Sequence, residues 1–300
     1  MATVTPLGAL GARVEGIDVS KPLSPVDMGI ILRALARHAV LCFPHQHLEP
    51  AEQLAFSSRF GTCQEAGSAA QFAEPGNPAV MLLSNVVENG RVIGLSDAGQ
   101  DWRTEMSYAK PFGYINVLFA VKVPVRDGVT LGGTEFQDMA AAWDDLPATW
   151  KTRIDGMTAT HDLNGYWEKM RQRPGTQRKP LTAEQRAARP PVSHPMVLTH
   201  PISGRKSLYC NVGFTDHVDG VSKTESDEIL GYLFEHQLQP KYKWTHRCSE
   251  GDVLVWDNLW TMHNAIGDYR PDEWRLMRRC QVSADWIFTD TARAAARVGA

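Results

Sequence analysis

Gly251-Asp-Val-Leu-Val-Trp-Asp-Asn258, followed by His263, Arg275 and Arg279, carries the strongest structural signal in the sequence. Its centre is β-branched and aromatic and is bounded by Gly251 and the Asp257-Asn258 pair, so it reads as a strand ending in a tight turn. His263 follows closely. Arg275 and Arg279 stand twelve and sixteen residues further on, inside Trp274-Arg-Leu-Met-Arg-Arg-Cys-Gln-Val282. If that segment is also a strand, its period of two puts Arg275, Met277 and Arg279 on one face and Arg278 on the other. Two guanidiniums facing inward are costly unless they meet anions, whereas on an outward face they are simply solvated.

Upstream, short apolar runs at Ala39–Phe43, Ala79–Leu83, Tyr114–Val123, Met196–Thr199 and Ser207–Asn211 are separated by turn signals such as Ser203-Gly204-Arg205. A helix is predicted after Ser24, with Pro25 at its first position and Asp27 completing an S-x-x-D start. A second should cover Pro50 to Phe60 and stop at Gly61, and a third Thr224 to His236. Many short strands with a few helices outside them read as a jelly-roll type of fold, mainly β with flanking helices. No repeat or long Gly/Ser linker divides the chain, so residues 1–300 are expected to form one domain. The stretch Glu168 to Pro191 stands apart, polar and Pro-rich with a marked excess of Lys and Arg. It reads either as a solvated surface loop or as a cationic lid that draws in an anionic substrate.

Hydrophobic residues at 43% and charged residues at 22% exclude a disordered chain. A net charge of −3 offers no basic footprint for nucleic acid. Apolar runs such as Tyr114 to Val121 are too short to span a bilayer, and Met1-Ala-Thr-Val-Thr-Pro6 lacks the marks of a secretory signal. Cys42, Cys63, Cys210, Cys248 and Cys280 are odd in number and contain no CxxC pair, which suits reduced thiols. A cytoplasmic protein without nucleic-acid or membrane partners is expected.

The order W-D-N…H…R…R resembles the taurine and dichlorophenoxyacetate dioxygenases (the TauD/TfdA family), double-stranded β-helix enzymes that use Fe(II), O₂ and α-ketoglutarate. Further pieces follow in the same order: Leu7-Gly-Ala with Val14-Glu-Gly-Ile-Asp18, Val40-Leu-Cys-Phe43 with Gln46, Arg59-Phe-Gly61, and Gly132-Gly-Thr-Glu-Phe136. Pro190-Pro-Val-Ser-His-Pro and Gly204-Arg-Lys206 are most similar to the dichlorophenoxyacetate branch. The resemblance implies that His263 is a distal iron ligand, that Thr134 and Arg275 hold the far carboxylate of α-ketoglutarate, and that Arg279 faces the substrate's carboxylate or sulfonate. Arginine suits such anions because its planar fork pairs with them bidentately. A homo-oligomer is among the assemblies such relatives form.

The chain departs from the family at the proximal iron ligands. In place of His-x-Asp it has Arg103-Thr-Glu105. Glu105 keeps a carboxylate as a metal ligand, but a protonated guanidinium has no lone pair to donate, so Arg103 cannot ligate iron. Sharing a strand face, Arg103 and Glu105 can instead pair with each other, the cation replacing the charge of the metal. Two readings stay open. One is an oxygenase with a weakened Fe(II) site on Glu105 and His263, hydroxylating a small organic anion. The other is a metal-free member that binds such an anion or uses Glu105, His263 and Arg103 for acid–base chemistry. His161 and His200 remain as alternative histidines, and His217-Val-Asp219 carries little weight. Trp102, Trp256 and Trp260 either line the pocket or pack the core.

Overall fold

Gly113–Lys122 is buried along its first eight residues, as a strand covered on both faces must be. It lies inside an eight-stranded sheet ordered Thr3–Pro6, Ala12–Glu15, Val40–Phe43, Val253–Asp257, Gly113–Lys122, Leu276–Ser283, Asn77–Ser84 and Ala73–Glu74. The pairings are antiparallel except that of Ala12–Glu15 with Val40–Phe43. The computed structural model describes residues 2–95, 99, 101–173, 176 and 178–299. None of the helices among the described residues is long and apolar enough to cross a membrane.

Strand alternation sorts the core into two layers. Leu41, Phe43, Val117, Val253, Val255, Cys280 and Val282 pack with Ile31, Leu32, Phe56 and Ala292 of the helices Pro25–His38, Pro50–Ser57 and Asp290–Arg297. On the other face Val40, Leu118, Ala120, Leu254, Trp256 and Met277 meet Phe136. Phe136 belongs to a smaller antiparallel sheet ordered Lys243–His246, Thr134–Asp138 and Thr261–Ala265. The result is a jelly-roll β-sandwich with helices outside.

The predicted helix after Ser24 is Pro25–His38; the Ser24 side chain accepts from the Asp27 N–H and donates to the Asp27 carboxylate at 2.7 Å. The second predicted helix is α-helical only over Pro50–Ser57, tightening into a 3₁₀ turn at Ser58–Phe60 before Gly61. The third spans Lys223–Gln237. The stretch read as a loop or lid contains structure: helix Leu163–Arg171 runs into it and helix Ala183–Ala187 lies within it. Residues 174, 175 and 177 of that stretch lie outside the described residues.

Candidate active site

Met277 is 1% exposed and faces the space between the sheets, and its strand neighbours at even spacing share that face. Arg275 and Arg279 are therefore turned inward, at 6% and 7% exposure. Arg278 points the other way, its guanidinium over Phe119 at 4.9 Å and bonded to the Leu48 carbonyl. The solvated alternative for the two inward arginines is excluded.

Arg103 enters from outside the sheets. Its N–H donates to the His263 carbonyl at 3.1 Å, and the His263 N–H donates to the Arg103 carbonyl at 2.9 Å. This is a single bridge and not part of a longer strand, contrary to the strand face expected for residues 103 and 105. Just after Glu105 the chain turns at Met106, a non-glycine residue at φ 58. Thr104 Oγ1 donates to the Thr261 carbonyl at 3.2 Å, while Ser107 Oγ meets His161 Nδ1 at 3.1 Å and accepts from Asn211 Nδ2 at 3.0 Å. Gly213 lets the backbone come close, since a Cβ there would lie 2.8 Å from that of Arg103.

All the charge converges on one oxygen. Glu105 Oε2 accepts from Arg103 Nε at 3.2 Å, Arg103 Nη2 at 3.1 Å and Arg279 Nη1 at 3.2 Å. His263 Nε2 stands 3.7 Å from the same oxygen. Burial opposes ionisation of Glu105, but the guanidiniums of Arg103 and Arg279 outweigh it and hold the carboxyl down at about 2. Burial, reinforced by Arg103, keeps His263 far below the ordinary histidine range, so the ring is neutral. Its Nδ1 is buried without a hydrogen-bond partner, and the ring lies 5.0 Å from Trp256 and 6.4 Å from Phe136. Two guanidiniums against one carboxylate leave this buried cluster with an excess positive charge, and Arg279 Nε is buried without a partner.

Thr134 faces the same side of the small sheet as His263, because Phe136 pairs directly with His263 and Thr134 with Ala265. Arg275 Nε donates to the Gly132 carbonyl at 3.1 Å, two residues before Thr134. Among the described residues no carboxylate lies within ion-pair distance of Arg275, whose guanidinium packs 5.9 Å from the Tyr269 ring. The structure thus brings Arg103, Glu105, His263 and Arg279 into one cluster and ties Arg275 to Gly132, two residues before Thr134.

Above the first cluster opens a cleft of about 700 Å³ with Arg103, Glu105 and Arg279 in its lining. His263, Thr134 and Arg275 do not reach this lining. Tyr108, Tyr166, Trp167 and Phe214 supply aromatic wall, and Leu181 and Arg189 come from the basic stretch. Tyr108 and Tyr166 carry no motif in the sequence, and only the closeness of Tyr108 to Glu105, three residues away, hints at a place in the site. Arg189 stacks 5.8 Å over Tyr108 and was visible as part of the charge excess.

The other histidines are engaged elsewhere. His200 Nε2 meets Asp257 Oδ2 at 3.0 Å, its Nδ1 accepting from the Ser203 N–H at 3.1 Å. His217 is half-exposed beside Asp216 and Asp219. Trp256 and Trp260 are core residues, and Trp102 packs against the core that holds helix Lys223–Gln237.

The family model for "Taurine catabolism dioxygenase TauD, TfdA family" matches residues 3–281. Pentalenolactone F synthase of Streptomyces arenae is 33% identical over 92% of this chain and 93% of its own. The α-ketoglutarate-dependent 2,4-dichlorophenoxyacetate dioxygenase of Cupriavidus pinatubonensis is 32% identical over 86% of this chain and 88% of its own. The crystal structure of AAD-2 in complex with Mn(II) and N-oxalylglycine superposes with a TM-score of 0.76 at 27% identity, covering 95% of this chain and 98% of that one.

Proposed function

Because the chain belongs to the TauD/TfdA family of α-ketoglutarate-dependent dioxygenases, which are oxidoreductases acting on small organic substrates, we propose that it keeps the family's two anion positions but not its manner of holding iron. Members use Fe(II) and α-ketoglutarate. The donor set found at the metal position does not fit that metal. Arg103 has no lone pair, and the Glu105 oxygen nearest His263 is already shared by three guanidinium N–H groups. A cation inserted there would also face two fixed positive charges.

The single observation that carries this reading is the convergence of Arg103 and Arg279 on Glu105 Oε2 in a buried site. The surplus positive charge then serves an anion. A carboxylate- or sulfonate-bearing organic substrate would lie in the cleft with its anionic end on Arg279, and its body along Tyr108, Tyr166 and Phe214. An α-keto dicarboxylate would set its far carboxylate on Arg275 and Thr134. C–H hydroxylation would be weakened or lost. The buried thiols suit a reducing, cytoplasmic setting.

A second reading is favoured by the survival of His263, Thr134, Arg275 and Arg279: an active oxygenase holding Fe(II) on Glu105 and His263 with Arg103 swung aside. Calorimetric titration with α-ketoglutarate separates the two. Equal affinity in EDTA and in anaerobic Fe(II), with no succinate formed in air, is expected. At least tenfold tighter binding with Fe(II), accompanied by succinate release, would establish the second reading instead.

A further inference from the structure

Behind the Arg275 side of the sandwich, the stretch His246-Arg-Cys-Ser-Glu-Gly-Asp252 carries four residues able to bind a metal, His246, Cys248, Glu250 and Asp252, and Cys42 faces it from the large sheet. Cys42 Sγ, a His246 ring nitrogen and an Asp252 carboxylate oxygen all lie within 4.8 Å of one another, the one such group found among the described residues. We propose that Cys42, His246 and Asp252 form a zinc site that ties the two sheets together. Nothing in the oxygenase reading uses these residues.

Four observations support it. Around a tetrahedral zinc, donors bonded at about 2.0–2.3 Å stand roughly 3.3–3.8 Å apart, so shifts of about 1 Å or less close the site. His246 Nε2 is buried and has no hydrogen-bond partner, while its ring lies tilted 5.5 Å from that of Trp244. A buried imidazole nitrogen left unpaired is costly, and a metal removes that cost. Asp252 Oδ2 accepts from the Ser249 N–H at 2.8 Å, which fixes the carboxylate, and the Cys42 thiol donates to the same carboxylate, a proton that a metal ion would replace. The charges also balance: one divalent ion with a thiolate, a carboxylate and a neutral imidazole gives a neutral unit, as a buried site requires.

The mixed sulfur, nitrogen and oxygen donor set selects zinc over magnesium or calcium. Without metal, burial and the nearby Asp252 keep Cys42 a neutral thiol, so binding releases a proton and weakens as the pH falls. A water completes the fourth position. The mechanical consequence follows from topology. His246 ends the Lys243–His246 strand of the small sheet, whose neighbour carries Thr134, and Cys42 lies in Val40–Phe43 of the large sheet.

The test uses the full chain carrying His263→Gln, which removes the imidazole beside Glu105. Anaerobic titration with Co(II) should raise a near-ultraviolet thiolate-to-cobalt band that saturates at one ion per chain and is bleached by Zn(II). His246→Ala should abolish the band, and Cys42→Ser should do the same. Zn(II) should raise the melting temperature of the parent by several degrees and leave His246→Ala unmoved. Absence of the thiolate band in the parent, or an unchanged band in His246→Ala, would overturn the proposal.

Discussion

Glu105 and Arg103 depend on each other more than on anything else in the cleft. Removing the carboxylate charge by Glu105→Gln leaves two guanidiniums buried without an anion, and we expect a loss of about 3–5 kcal/mol in urea unfolding. Arg103→Met should cost less, because Arg279 still neutralises Glu105 at 3.2 Å. A double-mutant cycle between residues 103 and 105 should give a coupling above about 1 kcal/mol. The pH dependence has a definite sign. Glu105 is depressed from 4.5 to about 2, so its contribution is complete above pH 4.5 and disappears as the pH falls through 2. His263 is also depressed, from 6.5, so the unfolded chain takes up its proton first and stability begins to fall below that pH. Urea midpoints at pH 7, 5 and 3 should therefore decline throughout, and Glu105→Gln should flatten the limb below 4.5. This residue pair was legible in the sequence, since the resemblance expects a ligand where residue 103 stands, and a guanidinium there invites pairing with Glu105. Tyr166 was not legible, because an aromatic residue on a short helix has no signal that separates a pocket wall from core.

The turn at Gly132 decides where Arg275 sits. Its φ of +68 favours glycine, and a Cβ there would come within 2.6 Å of Arg275 Cδ. Gly132→Ala should cost about 1–3 kcal/mol from backbone strain and weaken α-ketoglutarate binding at least tenfold by displacing Arg275, both read by calorimetry. Elements with regular periodicity were readable from sequence. The shared face of Arg275, Met277 and Arg279 followed from the period of two, although which way it points did not, and Ser24 announced its helix through a cap that the structure retains. The basic stretch hid its helices. Thr182-Ala-Glu-Gln185 is a capping box, but its helix has no buried residue, so no apolar stripe marked it against the surrounding charge. The segment of Arg103 and Glu105 was misread as strand because its geometry comes from one bridge to His263 and a turn through Met106, neither of which has a periodic signature.

At the scale of the molecule, Phe136 joins the two sheets and stands between the core and His263, in contact with Trp256 at 5.6 Å and Trp244 at 5.9 Å. Phe136→Ala should destabilise the fold by about 3–5 kcal/mol in chemical denaturation, because neither sheet can collapse into the space. The sandwich was foreseeable from many short strands, but the partition into an eight-stranded and a three-stranded sheet was not, since pairing across long sequence separations leaves no local trace. The most direct measurement asks whether that scaffold holds iron as it stands. Fe(II) and α-ketoglutarate are added without oxygen to the unmodified chain and to Arg103→His, and the weak visible charge-transfer band of the chelate is recorded. We expect no band in the unmodified chain and a band with bound iron in Arg103→His. A clear band in the unmodified chain would contradict the replacement of the metal by the Arg103–Glu105 pair.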